Sequence, residues 1–159
     1  MKITHAAMAA AALLATGLAS GTAYAERPGG KLEGSGPIAS HNYRALANRL
    51  DSHPVSCGIP GSTMDLSRIT AVEGLTGEEC GTVLKVTNAL DPSKFEYVMA
   101  VDQGGLGLDL NTEAFSKLFG TETGRWNAHW EVVNSHYGDG IVTDTSHLPG
   151  YQKNLDLPR

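Results

Sequence analysis

The chain has little positive charge. Twelve Lys and Arg residues stand against seventeen Asp and Glu residues, which gives a formal net charge of −5 at pH 7, and the basic residues form no run. A mildly acidic surface without a basic patch does not attract the phosphates of nucleic acid or of anionic lipid. We therefore expect neither nucleic acid nor a membrane surface as a partner.

The common signatures of cofactor binding and nucleophilic catalysis are also missing. The sequence contains no glycine-rich phosphate loop, no nucleophile elbow and no Cys–His couple. Its histidines show no metal-ligand spacing such as His-x-x-x-His. We expect no cofactor and no metal site.

Long apolar runs are scarce, and the one that occurs covers residues 6–18. It follows the basic residue Lys2 and precedes the small-x-small cleavage pattern Ala23-Tyr24-Ala25, as in a secretory signal peptide. A membrane-spanning helix needs about 20 apolar residues, so the run is too short for one. The sequence predicts a signal peptide at residues 1–25 and a secreted, monomeric, single-domain product.

Cysteine is nearly absent, with Cys57 and Cys80 as the two examples. An even pair in an exported chain favours one disulfide, although two buried free thiols remain the alternative. In the loop-entropy description, closing a loop of this length stabilises the fold by about 3 kcal/mol.

Glycine is abundant, at 19 residues, and charged residues make up only 18% of the chain, a composition typical of a loop-rich β protein. Three segments read as strands: residues 67–72, 83–90 and 95–101. A strand-rich chain of this size is expected to close into a small barrel, because closure removes exposed strand edges.

The most informative stretch runs from Gly104 to Gly120. A glycine-rich loop leads to Asp109, and a short helix follows, with Asn111 as its predicted N-cap and Gly120 as its predicted C-cap. Just upstream, a strand ends in a second carboxylate, Asp102. The unit is therefore a strand, an acidic glycine loop and a capped helix.

This unit and its flanks resemble a known family. Residues 80–88 (CGTVLKVTN), 101–102 (VD), 108–115 (LDLNTEAF) and 124–133 (GRWNAHWEVV) are similar to the ordered motifs of expansin-like and barwin-like domains, which include rare lipoprotein A-like domains. The resemblance implies a mainly β fold, a six-stranded double-psi β-barrel with one or two short helices. We expect the barrel to occupy residues 41–133.

The segments around the matched region lack counterparts in that family. Residues 26–40 are rich in glycine and proline and are predicted to form a flexible lead. Residues 41–52 show helical spacing, although the family has its first strand there. Residues 134–159 are polar and turn-rich and are predicted to form a surface arm.

Three residues are candidates for ligand binding. Asp109 matches the aspartate that lies in the polysaccharide groove of expansins, although an Asp before a helix can also simply bind loop N–H groups. Asp102 is a candidate second acid, and aspartates at strand ends commonly cap turns. Trp126 is a candidate sugar-stacking platform, with packing in the core as its alternative; Trp130 matches the family's packing tryptophan.

The resemblance also bears on hydrolysis. Endoglucanases with this barrel carry a second aspartate directly after an aromatic residue of the first strand, whereas this chain has Tyr43-Arg44-Ala45 and no acid until Asp51. The resemblance therefore implies a secreted protein that binds cell-wall polysaccharide without hydrolysing it, and not an enzyme. The alternative is a secreted protein-binding module, such as an inhibitor of papain-like cysteine proteases or a defence or effector protein. A glycosidase is the third interpretation, against which the missing second acid weighs.

Overall fold

The structure is a computed structural model that describes residues 30–159. The predicted signal peptide lies outside the described residues. Within residues 30–159, no helix is both long and apolar enough to cross a membrane.

Six strands form a closed barrel in the order β1-β5-β2-β4-β3-β6. The pairs β1–β5 and β2–β4 are parallel, and the other four pairs are antiparallel. The strands are β1 Gly34–His41, β2 Ile69–Val72, β3 Val83–Asn88, β4 Phe95–Gln103, β5 Leu108–Asn111 and β6 Trp126–Val132. The predicted closed β-barrel is confirmed.

Short helices connect the strands and cover the ends of the barrel. The α-helices are α1 Ala47–Leu50, α2 Thr112–Phe119 and α3 Pro149–Lys153. The 3-10 helices are Tyr43–Leu46, Gly61–Thr63, Leu66–Arg68, Gly77–Glu79 and Ser135–Gly138. The large, fully buried side chains of the core come from both strands and helices: Ile38, Ile69, Leu84, Met99, Leu108, Leu110, Phe115 and Leu118.

Helix α2 has the apolar face that its spacing predicts, and Gly120 ends it in the left-handed conformation, with φ 72°. Asn111 is the N-cap residue as predicted, but its side chain does not make the predicted capping hydrogen bond. Its side chain is fully buried, and its Oδ1 accepts a hydrogen bond of 3.1 Å from the backbone N–H of Tyr43. Asn111 is the last residue of β5, so this hydrogen bond joins β5 to the segment that follows β1.

The predicted flexible lead is wrong from Gly34 onwards, because residues 34–41 form β1. Glycine at position 34 serves close packing and not flexibility, since a Cβ atom there would lie 2.9 Å from the ring of Trp130. The first strand thus precedes residues 41–52, and the barrel begins earlier than predicted. Residues 41–52, for which the sequence left helix and strand open, form a 3-10 turn and α1, which bury Tyr43 and Leu50.

The predicted surface arm, residues 134–159, is instead packed against the barrel. Ile141, Leu148 and Tyr151 are buried, and the hydroxyl of Ser135 donates a hydrogen bond of 2.6 Å to the carbonyl of Tyr151. The apolar residues of this segment are separated by turns and follow no helical or strand period. Because of this irregular spacing, the segment was predicted to be a surface arm.

The predicted disulfide is confirmed. Cys57 and Cys80 are joined across a sequence separation of 23, with their Cα atoms 5.7 Å apart. The backbone N–H of Cys57 also donates to the carbonyl of Val101 on β4, at 3.0 Å. The bridge therefore links the loop before β2 to the start of β3, next to the strand that carries Asp102.

Candidate functional site

Asp109 lies in the middle of β5, where the alternation of a strand turns it away from the core. Its neighbours Leu108 and Leu110 are fully buried, whereas Asp109 is half-buried. Across the sheet it is level with Ala39 of β1 and Ala71 of β2. Both flanking side chains are single methyl groups, so the carboxylate remains open to the surface.

The structure brings the two predicted acids together. Asp102 and Asp109 line the same small hollow, of about 150 Å³, at the surface of the barrel. Strands β4 and β5 contribute them from the two sides of β2. The other lining residues are His41, Tyr43, Ala71, Gln103 and Gly104. We call this hollow the acidic hollow.

The glycine loop forms one wall of the acidic hollow. Gly105 adopts φ +75°, and a Cβ atom on it would lie 2.7 Å from the Cγ atom of Asp109. Backbone thus contacts the carboxylate directly, an approach that a larger residue would block. The requirement for glycine here is steric as well as conformational.

The electrostatic environment of Asp109 opposes its ionisation. Burial raises the pKa of this carboxyl, and the positive charges of His41 and Arg125 only partly offset that rise. Among residues 30–159, the one side-chain hydrogen bond to Asp109 goes to its backbone carbonyl, and the carboxylate oxygens accept none and remain accessible to water. Asp109 therefore keeps its hydrogen-bonding capacity for a ligand.

Asp102 has the opposite environment. Its Oδ1 accepts hydrogen bonds from the backbone N–H and hydroxyl of Ser56, at 2.9 and 2.5 Å, and from the backbone N–H of Gln103, at 3.0 Å. Its Oδ2 accepts a bond of 3.1 Å from the hydroxyl of Tyr43. Burial and then the charge of Asp102 raise the pKa of Tyr43, so its hydroxyl stays protonated and donates. Asp102 is held in place by the fold, as a turn-capping aspartate would be.

His41 is a site residue that the sequence reasoning missed. It ends β1, and its ring meets the ring of Tyr43 edge-on, with centroids 4.6 Å apart. No sequence signal placed it beside Asp109, because residues 34–40 of the strand that it ends were predicted to belong to a flexible lead. The parallel pairing of β1 with β5 brings it to the hollow.

Trp126 does not line the acidic hollow. It begins β6, is 41% exposed, and stacks on Phe119 of α2 with ring centroids 5.9 Å apart. Trp130, by contrast, is buried as predicted, and its Nε1 donates a bond of 2.8 Å to the carbonyl of Lys31. The structure therefore separates the tryptophan candidate from the acid pair.

Solved structures of cerato-platanins share this fold. Cerato-platanin 3 from M. perniciosa is 18% identical, with a TM-score of 0.52, and the match covers 65% of this chain and 97% of that protein. Cerato-platanin 2 from M. perniciosa is 17% identical over 65% and 97% of the two chains, with a TM-score of 0.51. The fungal elicitor cerato-platanin, solved in solution, is 23% identical over 67% and 97%, with a TM-score of 0.51.

No protein-family profile and no curated protein sequence matches the chain. At the identities of the structural neighbours, the likeness shows the fold alone. That fold is the double-psi β-barrel, which cerato-platanins share with expansins, and it is the fold that the sequence motifs predicted. The protein is a double-psi β-barrel with a half-buried, unpaired aspartate in a surface hollow.

Proposed function

We propose that the protein is a secreted, single-domain barrel that binds cell-wall polysaccharide through Asp109 without hydrolysing it. The observation that carries this proposal is the carboxylate of Asp109, which is half-buried in an open hollow and accepts no hydrogen bond from the described chain. The carboxylate oxygens stay accessible to water, so the hydroxyl groups of a sugar can replace that water as hydrogen-bond donors. Hydrogen bonds to a carboxylate are charge-assisted and stronger than neutral ones.

The proposal of binding without hydrolysis rests on the second acid. A glycosidase needs one carboxyl group as acid and another as base or nucleophile. The second carboxylate of the hollow, Asp102, is occupied by four hydrogen bonds, and β1 contains no Asp or Glu. In this proposal Asp102 positions Tyr43 and the rim of the hollow and does not attack a sugar.

The proposal also assigns sugar stacking to Trp126 and an extracellular location to the protein. The exposed ring of Trp126 offers a stacking surface for a sugar residue outside the acidic hollow, as aromatic faces do in many binding sites. The predicted signal peptide and the disulfide support an extracellular location.

The alternative of a protein-binding module is supported by the description of one structural neighbour as a fungal elicitor.

The test is retention on insoluble cellulose, chitin and peptidoglycan, measured for the wild type, Asp109→Asn and Asp156→Asn. The control residue, Asp156, is exposed and outside the acidic hollow. We expect the wild type and the control to bind at least one polymer equally. Asp109→Asn is nearly isosteric and should weaken that binding by roughly 1–3 kcal/mol, because the charge-assisted hydrogen bond is lost.

Two outcomes would contradict the proposal. Equal affinity of the wild type and Asp109→Asn for every polymer would exclude Asp109 as the central residue, and inhibition of papain in the same samples would then favour the protein-binding alternative. Release of reducing ends above a heat-inactivated control would show that the protein hydrolyses its ligand.

A further inference from the structure

A second and larger hollow lies beside the acidic hollow. It has a volume of about 640 Å³ and is lined by Ser56, Leu75, Thr76, Gly77, Cys80 and Gln103, among others. The disulfide and the 3-10 helix Gly77–Glu79 form one side of it. We call it the disulfide hollow.

The two hollows adjoin at Gln103. Gln103 lines both of them, and its backbone N–H donates to the Ser56 hydroxyl at 3.1 Å and to Asp102 at 3.0 Å. Ser56 lines the disulfide hollow, while the carboxylate that it binds, Asp102, lines the acidic hollow. A ligand that passes over Gln103 therefore contacts both hollows.

The small volume of the acidic hollow indicates that it is only part of a binding site. Its 150 Å³ falls below the roughly 300–1,000 Å³ that ligand pockets usually have, whereas the disulfide hollow, at 640 Å³, lies within that range. A ligand that reaches Asp109 and fills a pocket of ordinary size has to extend into the disulfide hollow.

The lining of the disulfide hollow indicates the chemistry of that extension. No charged side chain lines it, and the apolar surfaces of Leu75 and Cys80 lie beside polar groups. The side-chain amide of Gln103 can both donate and accept, whereas the hydroxyls of Ser56 and Thr76 already donate to Asp102 and Glu79 and can only accept from a ligand. Such a surface matches the hydroxyl groups and C–H faces of uncharged sugars. It provides no cation for the carboxylates of an acidic polysaccharide.

We propose that the disulfide hollow is a second subsite, so that the protein binds an extended chain of uncharged sugars that runs from Asp109 across Gln103 to the disulfide. This inference rests on the proposed function and adds the length and the charge of its ligand. It assigns Gly77 to the wall of the second subsite.

The test blocks one subsite and leaves the other intact. Gly77 has ordinary backbone torsions, and a Cβ atom on it meets nothing within 4 Å, so Gly77→Tyr can place a ring in the disulfide hollow without disturbing the fold. The matched control is Ser62→Tyr, which adds the same ring to another 3-10 helix, Gly61–Thr63, whose exposed Ser62 lines neither hollow. Calorimetry measures the binding of dimers and hexamers of N-acetylglucosamine and of glucose, and of a galacturonic acid hexamer.

For the wild type we expect one of the two neutral hexamers to bind at least about tenfold more tightly than its dimer, a difference equivalent to about 1.4 kcal/mol. Gly77→Tyr should reduce the affinity for that hexamer to the level of the dimer and leave dimer binding unchanged. Ser62→Tyr should match the wild type, Asp109→Asn should weaken both lengths, and the acidic hexamer should not bind.

The results separate the two proposals. If Asp109→Asn weakens binding but affinity does not depend on chain length, or if Gly77→Tyr binds the hexamer like the wild type, the second subsite is wrong and the proposed function stands. Tighter binding of the acidic hexamer than of either neutral one would overturn the assigned ligand charge. If no neutral oligomer binds the wild type, the second subsite is wrong, and retention on the insoluble polymers decides the proposed function separately.

Discussion

At the scale of single residues, the two aspartates show how surroundings decide what a carboxylate can do. Both lie in the same hollow, yet Asp102 accepts four hydrogen bonds while Asp109 is covered on one side by the backbone of Gly105. The first arrangement holds the carboxylate in place. The second leaves the carboxylate oxygens without a partner from the protein but accessible to water, as the proposed binding to Asp109 requires.

Gly105→Ala should disturb Asp109 directly. The new methyl group would lie within 2.8 Å of both carboxylate oxygens, so the side chain has to move out towards water. We expect the pKa of Asp109, measured by NMR titration, to fall towards the ordinary value, and polysaccharide affinity to drop to that of Asp109→Asn.

The control for this change is Gly140→Ala. Gly140 has nearly the same backbone torsion, φ +79°, but a Cβ atom there meets nothing within 4 Å. Both variants should lose about 1–2 kcal/mol of stability, the usual penalty for a non-glycine residue in the left-handed region. If both variants also gave the same Asp109 pKa, the steric role of Gly105 would be excluded.

Asp109 should also reduce stability at neutral pH. Burial raises its pKa in the folded state above the unfolded value of about 3.9, so the folded protein holds this proton more tightly. Stability from this group is therefore greatest below pH about 4 and is lost as the pH rises through the folded-state pKa.

Asp109→Asn, which cannot ionise, should consequently be more stable than the wild type at pH 7 and should lose that advantage below pH about 4. Urea unfolding at a series of pH values measures the difference, with the exposed Asp156→Asn as the control. If the stability advantage of Asp109→Asn over the wild type grew as the pH fell, folding would not raise the pKa of Asp109, and the prediction would be wrong.

At the scale of elements, the segment after β6 has more influence on the fold than its composition suggests. Leu148 precedes α3, is 1% exposed, and packs against Gly81, where a Cβ atom would approach the Leu148 Cβ to 2.7 Å. The segment therefore covers the chain between the disulfide and β3, next to the disulfide hollow.

Leu148→Ala should destabilise the protein by about 2–5 kcal/mol, the usual loss when a buried leucine is truncated in a well-packed core. Leu157→Ala is the control, since Leu157 is 37% exposed and surface changes usually stay within about 0.5 kcal/mol. Thermal and urea unfolding measure the stability change of each variant. Similar small effects of the two substitutions would mean that the segment is a surface arm after all.

Elements with a regular pattern were predictable from the sequence. Helix α2 has apolar residues at i and i+4 and a terminal glycine, and strands β3 and β4 are apolar runs bounded by a turn. Strand β1 has neither signal, because its glycines and Pro37 are typical of turns in isolation. Its strand conformation comes from pairing with β5 and β6, and no local preference specifies it.

At the scale of the whole molecule, closure of the barrel creates the site. Asp102, Asp109 and His41 belong to β4, β5 and β1. Strand β1 is far from the other two along the chain, and β4 and β5, although consecutive, are separated by β2 in the barrel. The parallel pairs β1–β5 and β2–β4 bring these strands to one side of the barrel, while the disulfide lies next to the same opening. The candidate site is therefore a product of topology.

The sequence by itself determined the barrel class, the disulfide between Cys57 and Cys80, helix α2 and the glycine loop before Asp109. These features depend on local periodicity, on glycine conformation and on motif order, all of which can be read along the chain. Only the tertiary structure decided that Asp102 is saturated with hydrogen bonds, that His41 flanks Asp109, that Trp126 lies outside the hollow, and that the last segment packs against the barrel. Hydrogen-bond partners, burial and desolvation depend on residues far apart in sequence, and these contacts exist only once the barrel has closed.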